Sequence, residues 1–232
     1  MAALIEGDGR AYVTAAAVNL VMSAREDPEA RAALLGATLA VPDGQPLVWA
    51  LHALGHPTAT RIYGPDLMAH FCAHAEQSGT PMYLYGGRTP EALALLQQRL
   101  EERFGGIRIV GGYSPPFRAL SAEEEAHLVA DIDGSGAQVV WVGTGQPKQE
   151  KWMLAMRPRL AAPLLVGVGA AFDFHAGLVS QAPPWMGRNG LEWLYRLSRE
   201  PRRLWPRYVR YNPRFIVGFL GQYRAHRRNK HS

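Results

Sequence analysis

Asp43 could do acid–base chemistry, and it stands between Pro42 and Gly44. Proline presets φ, aspartate bonds its own backbone and glycine permits positive φ, so the tripeptide alone is ordinary turn chemistry. Its place after the apolar run Thr38–Val41 adds a second reading. A carboxylate at the carboxyl end of a strand could take a proton from an attacking hydroxyl, provided burial raises its pKa. A second segment, Gly143–Glu150, reads GTGQPKQE and follows the run Val139–Val142. Gly143 and Gly145 would let a backbone approach a phosphate, and the start of the next helix favours an anion. Lys148 adds a point charge. The spacing fits neither a Walker loop nor a dinucleotide fingerprint, so the bare pattern equally describes a plain strand-to-helix connection.

Other polar groups read as structural. Asp131-Ile132-Asp133 has the D-x-D form of metal-dependent sugar transferases, but it precedes Gly134-Ser135-Gly136 and reads as a helix end followed by a turn. The eight histidines are scattered without ligand spacing, so no metal site is expected. His175, near Asp173, reads as packed. Cys72 is the only cysteine, which excludes an internal disulfide and fits a reducing compartment.

The 232 residues are 47% hydrophobic and 19% charged, enough for one sizeable core. The opening MAALIEGDGR lacks an apolar stretch, so no signal peptide is expected. Nowhere do eighteen apolar residues run together, so no membrane span is expected either. The net charge of +5 is uneven: about a dozen of the 25 Lys and Arg lie between Arg188 and Lys230, against Glu192 and Glu200. Such a tail points to an anionic partner, whether nucleic acid, phospholipid or a phosphorylated substrate.

These residues need a scaffold. Thr38–Val41, Met82–Tyr85, Ile107–Val110, Val139–Val142 and Leu164–Val168 read as strands; Ala11–Val13 fits a strand or a helix. Thr89-Pro90-Glu91 opens a helix that Gly105-Gly106 stops, and Ser121-Ala122-Glu123-Glu124 has capping-box spacing. Another helix starts near Pro147. The alternation predicts an α/β fold, a Rossmann-like, mostly parallel sheet flanked by helices, over residues 1–182. Ligands of such sheets bind at the carboxyl ends of strands. That places Asp43-Gly44, Gly86-Gly87, Gly143–Glu150 and Gly169–Gly177 at the candidate site. From residue 183 to 232, Pro183, Pro184, Pro201, Pro206 and Pro213 punctuate a Trp- and Arg-rich stretch, read as short helices forming a basic appendage. Phe215–Val217 with Phe219, Leu220 and Tyr223, flanked by cations, suits a helix at a membrane surface or a terminal helix packed on the body.

Taken in order, the motifs resemble one family. PDG at 42–44 and PLVW at 46–49 are followed by RIYGPDL at 61–67, LYGG at 84–87 and VGTGQPKQE at 142–150. GVGAAFDFHAG at 167–177, APPWM at 182–186, and LEWLYRL with EPRRLW between 191 and 205 complete the series. Over about Ala11 to Phe219 the chain resembles the WecG/TagA/CpsF glycosyltransferases (glycosyltransferase family 26), in wording closest to their exopolysaccharide and capsule branch.

The resemblance implies transfer of N-acetylmannosamine or another hexose from a UDP-sugar to a sugar on an undecaprenyl-diphosphate carrier. It implies inversion at the anomeric centre, no cofactor and no D-x-D metal, at the cytoplasmic face of a membrane. Asp43 falls on the proposed general base and Gln149 on the pocket glutamine. Arg196, Arg203 and Arg207 fall on arginines that face the diphosphate. The remaining expected substrate contacts are Thr14, Gly44, Gly86, Gly87, Gly143, Gly145, Lys148, Glu150 and Asp173. The partners expected are the donor, the lipid-linked acceptor and an anionic membrane, without nucleic acid; the resemblance leaves both a homo-oligomer and a monomer open. The chain departs from the pattern before PDG: Thr14 lies one place from the family's threonine, and Ala17 stands where the asparagine belongs. A member that kept the fold and nucleotide binding but lost turnover is the alternative.

Overall fold

The structure is a computed structural model. It describes residues 1–7 and 9–230, and the side chains of these apart from 184, 188 and 203. Six strands, β1 (Ala11–Ala16), β2 (Leu39–Pro42), β3 (Pro81–Gly86), β4 (Arg108–Tyr113), β5 (Val139–Gly143) and β6 (Leu164–Gly167), form one sheet in the order β2-β1-β6-β5-β3-β4. Every pairing is parallel. The sequence left Ala11–Val13 open between strand and helix; it is a strand, buried at every position, between β2 and β6. The four central strands are almost wholly buried, as expected for a sheet covered on both faces, whereas edge strands β2 and β4 carry exposed residues.

Alternate residues of each strand feed two cores. On one face Val13, Met82, Leu84, Trp141 and Val166 pack against α5 (Gly64–Ser78), α6 (Pro90–Arg103) and α9 (Ala171–His175). On the other, Tyr83, Val140, Val142 and Leu165 pack against α7 (Ala122–Gly134) and α8 (Lys148–Met156). The helix starts follow local chemistry. The Thr89 hydroxyl accepts from the Ala92 amide with Pro90 in the first turn, and Ser121 and Glu124 form the expected capping box. Arg157, buried, ties three chain segments by donating to the carbonyls of Ala11, Leu160 and Ala162 at 3.1, 3.3 and 2.6 Å.

The remaining described helices are α1 (Ala2–Glu6), α2 (Val18–Glu26), α3 (Pro28–Leu35) and α4 (Gln45–Ala53) before β3, and α10 (Pro184–Arg188), α11 (Glu192–Arg199) and α12 (Pro201–Asn229) at the end. Here one expectation is corrected. The sequence predicts short helices punctuated by Pro206 and Pro213, but both lie inside the 29-residue α12. A helical proline forfeits one backbone hydrogen bond and crowds the preceding turn. Contacts with the body accompany the continuous helix. Leu204 is buried, the Ser23 hydroxyl reaches Tyr211 on α12, and Arg210 and Arg214 pair with Glu26 at the end of α2. Among the described residues no helix is long and apolar enough to cross a membrane.

Candidate active site

A cavity of about 590 Å³ runs along the carboxyl edge of the sheet. Its walls come from the segments that follow the strands: Ala15 and Ala17 from β1, Asp43 from β2, Gly87 and Arg88 from β3, Gly143–Gln146 from β5 and Gly169–Ala171 from β6. This is the edge at which the topology of a doubly wound sheet gathers loop residues. A second cavity of about 440 Å³ opens between the Asp43–Pro46 turn and the last two helices, against Trp193, Tyr208, Tyr211 and Phe215. Ala17, Asn19, Asp43, Arg196 and Arg207 border both cavities.

Asp43 is fixed from two sides. Its amide donates to the Ala16 carbonyl at 2.8 Å, continuing the strand pairing. The irregular segment before α5 then wraps it. The Ile62 amide donates to the Pro42 carbonyl at 2.9 Å, Arg61 Nε donates to the Asp43 carbonyl at 2.6 Å, and the Gly64 amide donates to Asp43 Oδ1 at 3.1 Å. Gly64 approaches so closely to Val168 that a Cβ there would lie 2.9 Å from the Val168 carbonyl oxygen. Burial pushes the Asp43 carboxyl up to about 6, against the opposing pull of the Gly64 amide and of Arg61 and Arg196; Glu192 pushes the same way as burial. A carboxylate tuned near neutrality is suited to general-base work.

The cations around it fall into two sets. Arg61 and Arg88 are already paired. Arg61 forms an ion pair with Glu192 and lies 4.4 Å from the Tyr63 ring centroid. Arg88 grips Asp173 with two hydrogen bonds of 3.0 and 2.9 Å and reaches Glu200 at 3.1 Å, which raises its own pKa. Arg196 differs: its guanidinium lies over the Phe174 ring at 5.5 Å, and its Nε is buried with no hydrogen-bond partner among the described residues. The buried Nδ2 of Asn19 also has none. Arg207 donates to the Gln146 carbonyl at 3.4 Å. Lys148 is exposed at the cavity wall and has no ion-pair partner among the described residues. Buried donors without acceptors are costly, so Arg196 and Asn19 mark where a polar ligand would be bound.

Most of the residues singled out by sequence gather here, in three ways. Gly87, Gly143, Gly145, Lys148 and Asp173 line the larger cavity with Asp43, Arg196 and Arg207, and Gly44 lines the smaller. Gly143 must be glycine because a Cβ would sit 2.5 Å from the Phe172 ring, and Gly86 beside it has φ +143° with the Gly143 backbone 2.7 Å from its Cβ position. Thr14, Gln149 and Glu150, by contrast, are fully buried and border neither cavity. Glu150 Oε1 accepts from the Thr14 hydroxyl at 2.6 Å and from Gln149 Nε2 at 2.7 Å, while Gln149 Oε1 accepts from the Gly169 amide at 3.0 Å. The three form a polar knot beneath the cleft that ties β1, α8 and the loop after β6. Arg203 lies on α12, and its side chain is outside the described residues.

The D-x-D aspartates are structural, as read. Asp131 accepts from the Tyr83 hydroxyl, and Asp133 Oδ1 accepts from the Ala161 amide at 2.8 Å. Both sit at the end of α7, which leads into β5 at the opposite edge of the sheet from the cleft. His175 donates to the Pro65 carbonyl at 2.9 Å, and burial lowers its pKa.

Sequence reasoning missed Arg61, Arg88, Glu192 and an aromatic wall. Tyr85 and Trp152 stack at 3.9 Å between centroids, and both line the larger cavity. Arg88 directly follows Gly86-Gly87 at a strand end, and Arg61 opens the RIYGPDL motif; position after a buried strand was the available signal for the first. Trp152 gave none, because an aromatic at helical spacing reads as core. The comparison with known families agrees with this geometry: the model of the Glycosyl transferase WecG/TagA/CpsF family matches residues 1–229, and the chain belongs to that family.

Proposed function

We propose that this chain, a glycosyltransferase of cell-surface polymer synthesis by its family, moves a hexose or N-acetylhexosamine from a UDP-sugar to a sugar on an undecaprenyl-diphosphate carrier. The observation that carries this reading is the position of Asp43, where a cleft along the sheet edge meets a cleft roofed by α11 and α12. A two-substrate transfer needs one group that both reactants reach. The donor occupies the larger cavity, with its diphosphate against the Gly143–Lys148 turn and Arg196. The acceptor enters through the smaller one, whose walls at Trp193, Tyr208, Tyr211, Phe215 and Ile216 suit a sugar face and the first carbons of a lipid.

The reaction is a single inverting displacement. Asp43 removes the proton of the acceptor hydroxyl as that oxygen attacks the anomeric carbon. The bond from that carbon to the UDP oxygen breaks on the opposite face, and UDP leaves with the electron pair. Arg196, Arg207 and Lys148 stabilise the charge that gathers on the diphosphate, as preorganised cations do. A guanidinium fork suits the paired oxygens of a diphosphate. Side chains rather than a metal ion carry this charge in the proposal.

Residues 183–232 act in it as an appendage with two tasks, completing the site and holding the enzyme at the inner face of the membrane. Trp205, Val209, Ile216, Val217 and Leu220 of α12 are exposed apolar groups interspersed with arginines. Such a face joins apolar insertion to attraction for anionic lipid of about 1 kcal/mol per cation.

The test is acceptor-dependent release of UDP. Purified full-length protein on liposomes is incubated with a panel of UDP-sugars and short-chain lipid-diphosphate-sugar acceptors, with and without EDTA. Release that requires acceptor and survives EDTA supports the reading and names the donor. UDP binding without release from any pair supports a nucleotide-binding protein that lost turnover, a reading to which Ala15 and Ala17 on the cavity wall lend weight.

A further inference from the structure

The Arg61–Glu192 ion pair joins two parts of the molecule that the chain separates by 131 residues. Arg61 belongs to the irregular segment that wraps Asp43; Glu192 is the first residue of α11. Their side chains are 20% and 14% exposed, so the pair is largely withdrawn from water. Breaking one side of such a pair strands the other charge, unlike the loosening of a surface salt bridge.

The guanidinium is held from opposite directions. Its Nε donates to the Asp43 carbonyl, and its Nη2 donates to the Glu192 carboxylate. The Tyr63 ring, its centroid 4.4 Å from the guanidinium carbon, adds a cation–π contact. From Gly187, at α10, a Cβ would lie 3.4 Å from Nη1, so the appendage closes over the same group. Without Glu192, a cation bonded to the Asp43 backbone would face the Asp43 carboxylate uncancelled. The charged and titratable groups that face Asp43 are Arg61 and the neutral Tyr63 hydroxyl from the core, Glu192 and Arg196 from α11, and Arg207 from α12 across the shared cavities. Glu192 is the carboxylate in that set, and it is delivered by a helix outside the sheet.

We propose that Glu192 is a positioning residue for Asp43, acting through Arg61, so that docking of α11 on the core completes the base. The proposal rests on the reading of Asp43 as that base. It gives α11 a task distinct from holding phosphate. Glu192 fixes the guanidinium that orients the Asp43 turn and cancels its charge, which keeps Asp43 a strong enough base. An undocked appendage then leaves a weak base, and the active site forms only when the helices that carry the acceptor cavity are in place.

The test is a carboxyl-carbon NMR titration of full-length protein labelled with [γ-¹³C]aspartate, from pH 3.5 to 8. The Asp43 signal is assigned as the one missing from Asp43→Asn. In the wild type the expected midpoint is about 6. In Glu192→Gln, which can still accept from Arg61, the midpoint falls by about one pH unit or more; in Glu192→Asp, which keeps the charge, it falls less. In Arg61→Gln the midpoint rises above wild type, because a cation is lost and Glu192 is left unneutralised. Opposite shifts in Glu192→Gln and Arg61→Gln support the proposal. An unchanged midpoint in Glu192→Gln overturns it. So do equal falls in both variants toward the ordinary aspartate value, since the pair would then merely hold the helices against the core. Should Glu192→Gln fail to fold, Glu192→Asp and Arg61→Gln carry the same comparison. Turnover of Asp43→Asn decides separately whether Asp43 is the base, so failure of that reading and failure of this one are distinguishable.

Discussion

Two carboxyls, half-buried Asp43 and fully buried Glu150, lie at and beneath the same cleft, and desolvation raises the pKa of both. Glu150 lies in the floor, out of reach of either cavity, with Thr14 and Gln149 bonded to one of its oxygens. Asp43 lies where both cavities meet, with one oxygen bonded to the Gly64 amide. The shift alone therefore does not distinguish chemistry from architecture. What distinguishes them is access: a ligand can touch Asp43 and cannot touch Glu150. Their surroundings differ in the same sense. Around Glu150 the Thr14 and Gln149 donors are spent on Oε1 and Oε2 is sealed away without a partner, whereas Arg196 Nε and Asn19 Nδ2, unpartnered among the described residues, belong to residues that border the cavities.

Substitutions at each pole sharpen this contrast. The largest effect is expected for Asp43→Asn, which keeps size and the Gly64 bond but removes the base: turnover falls by roughly 10²–10⁴-fold with UDP affinity retained, read by UDP release and calorimetry. Next comes Arg196→Ala, for which loss of one cation at the leaving diphosphate lowers turnover by about 10²–10³-fold. Arg196→Lys recovers little of it, because an ammonium lacks the planar fork.

Glu150 follows with the opposite phenotype. Glu150→Ala strands the Thr14 hydroxyl and the Gln149 amide and destabilises the fold by about 2–4 kcal/mol in denaturant unfolding. Glu150→Gln, which can still accept from Thr14, costs under about 1 kcal/mol and leaves turnover within about threefold of wild type. A thousandfold loss in Glu150→Gln would break the comparison.

One effect is a gain. The folded-state pKa of Asp43 is raised above its ordinary value of 3.8. The folded state thus binds the proton more tightly than the unfolded chain, and stability falls as pH rises from about 4 to about 6. Asp43→Asn removes that loss. At pH 8 it is expected to be more stable than wild type by roughly 1–3 kcal/mol, with the difference gone at pH 4, as thermal melts at the two values would show.

How far the sequence carried this account differs between the poles. The strands, the Thr89 and Ser121 caps and the glycines at strand ends follow local rules, and parallel alternation then dictates the edge where Asp43 and Gly143–Lys148 must meet. The knot under the cleft was not legible. Lys148-Gln149-Glu150 reads as the polar first turn of a helix, and nothing local says that Glu150 turns inward to meet Thr14 on β1, 136 residues away. Arg61, Arg88 and Glu192 were equally hidden, because each acquires meaning from a partner brought by tertiary packing. The prolines of α12 failed in another way: local propensity predicted breaks that the helix, packed on α2 through Tyr211, Arg210 and Arg214, does not show.

The central claim is that Asp43 takes the acceptor's proton as a carboxylate tuned by its burial. The most direct measurement is the pH dependence of acceptor-dependent UDP release by the wild-type protein at saturating substrates. A base with its pKa near 6 predicts turnover that rises between pH 5 and 7 with a midpoint close to 6 and then levels off. Turnover that is flat across that range, with substrate saturation maintained, would contradict it.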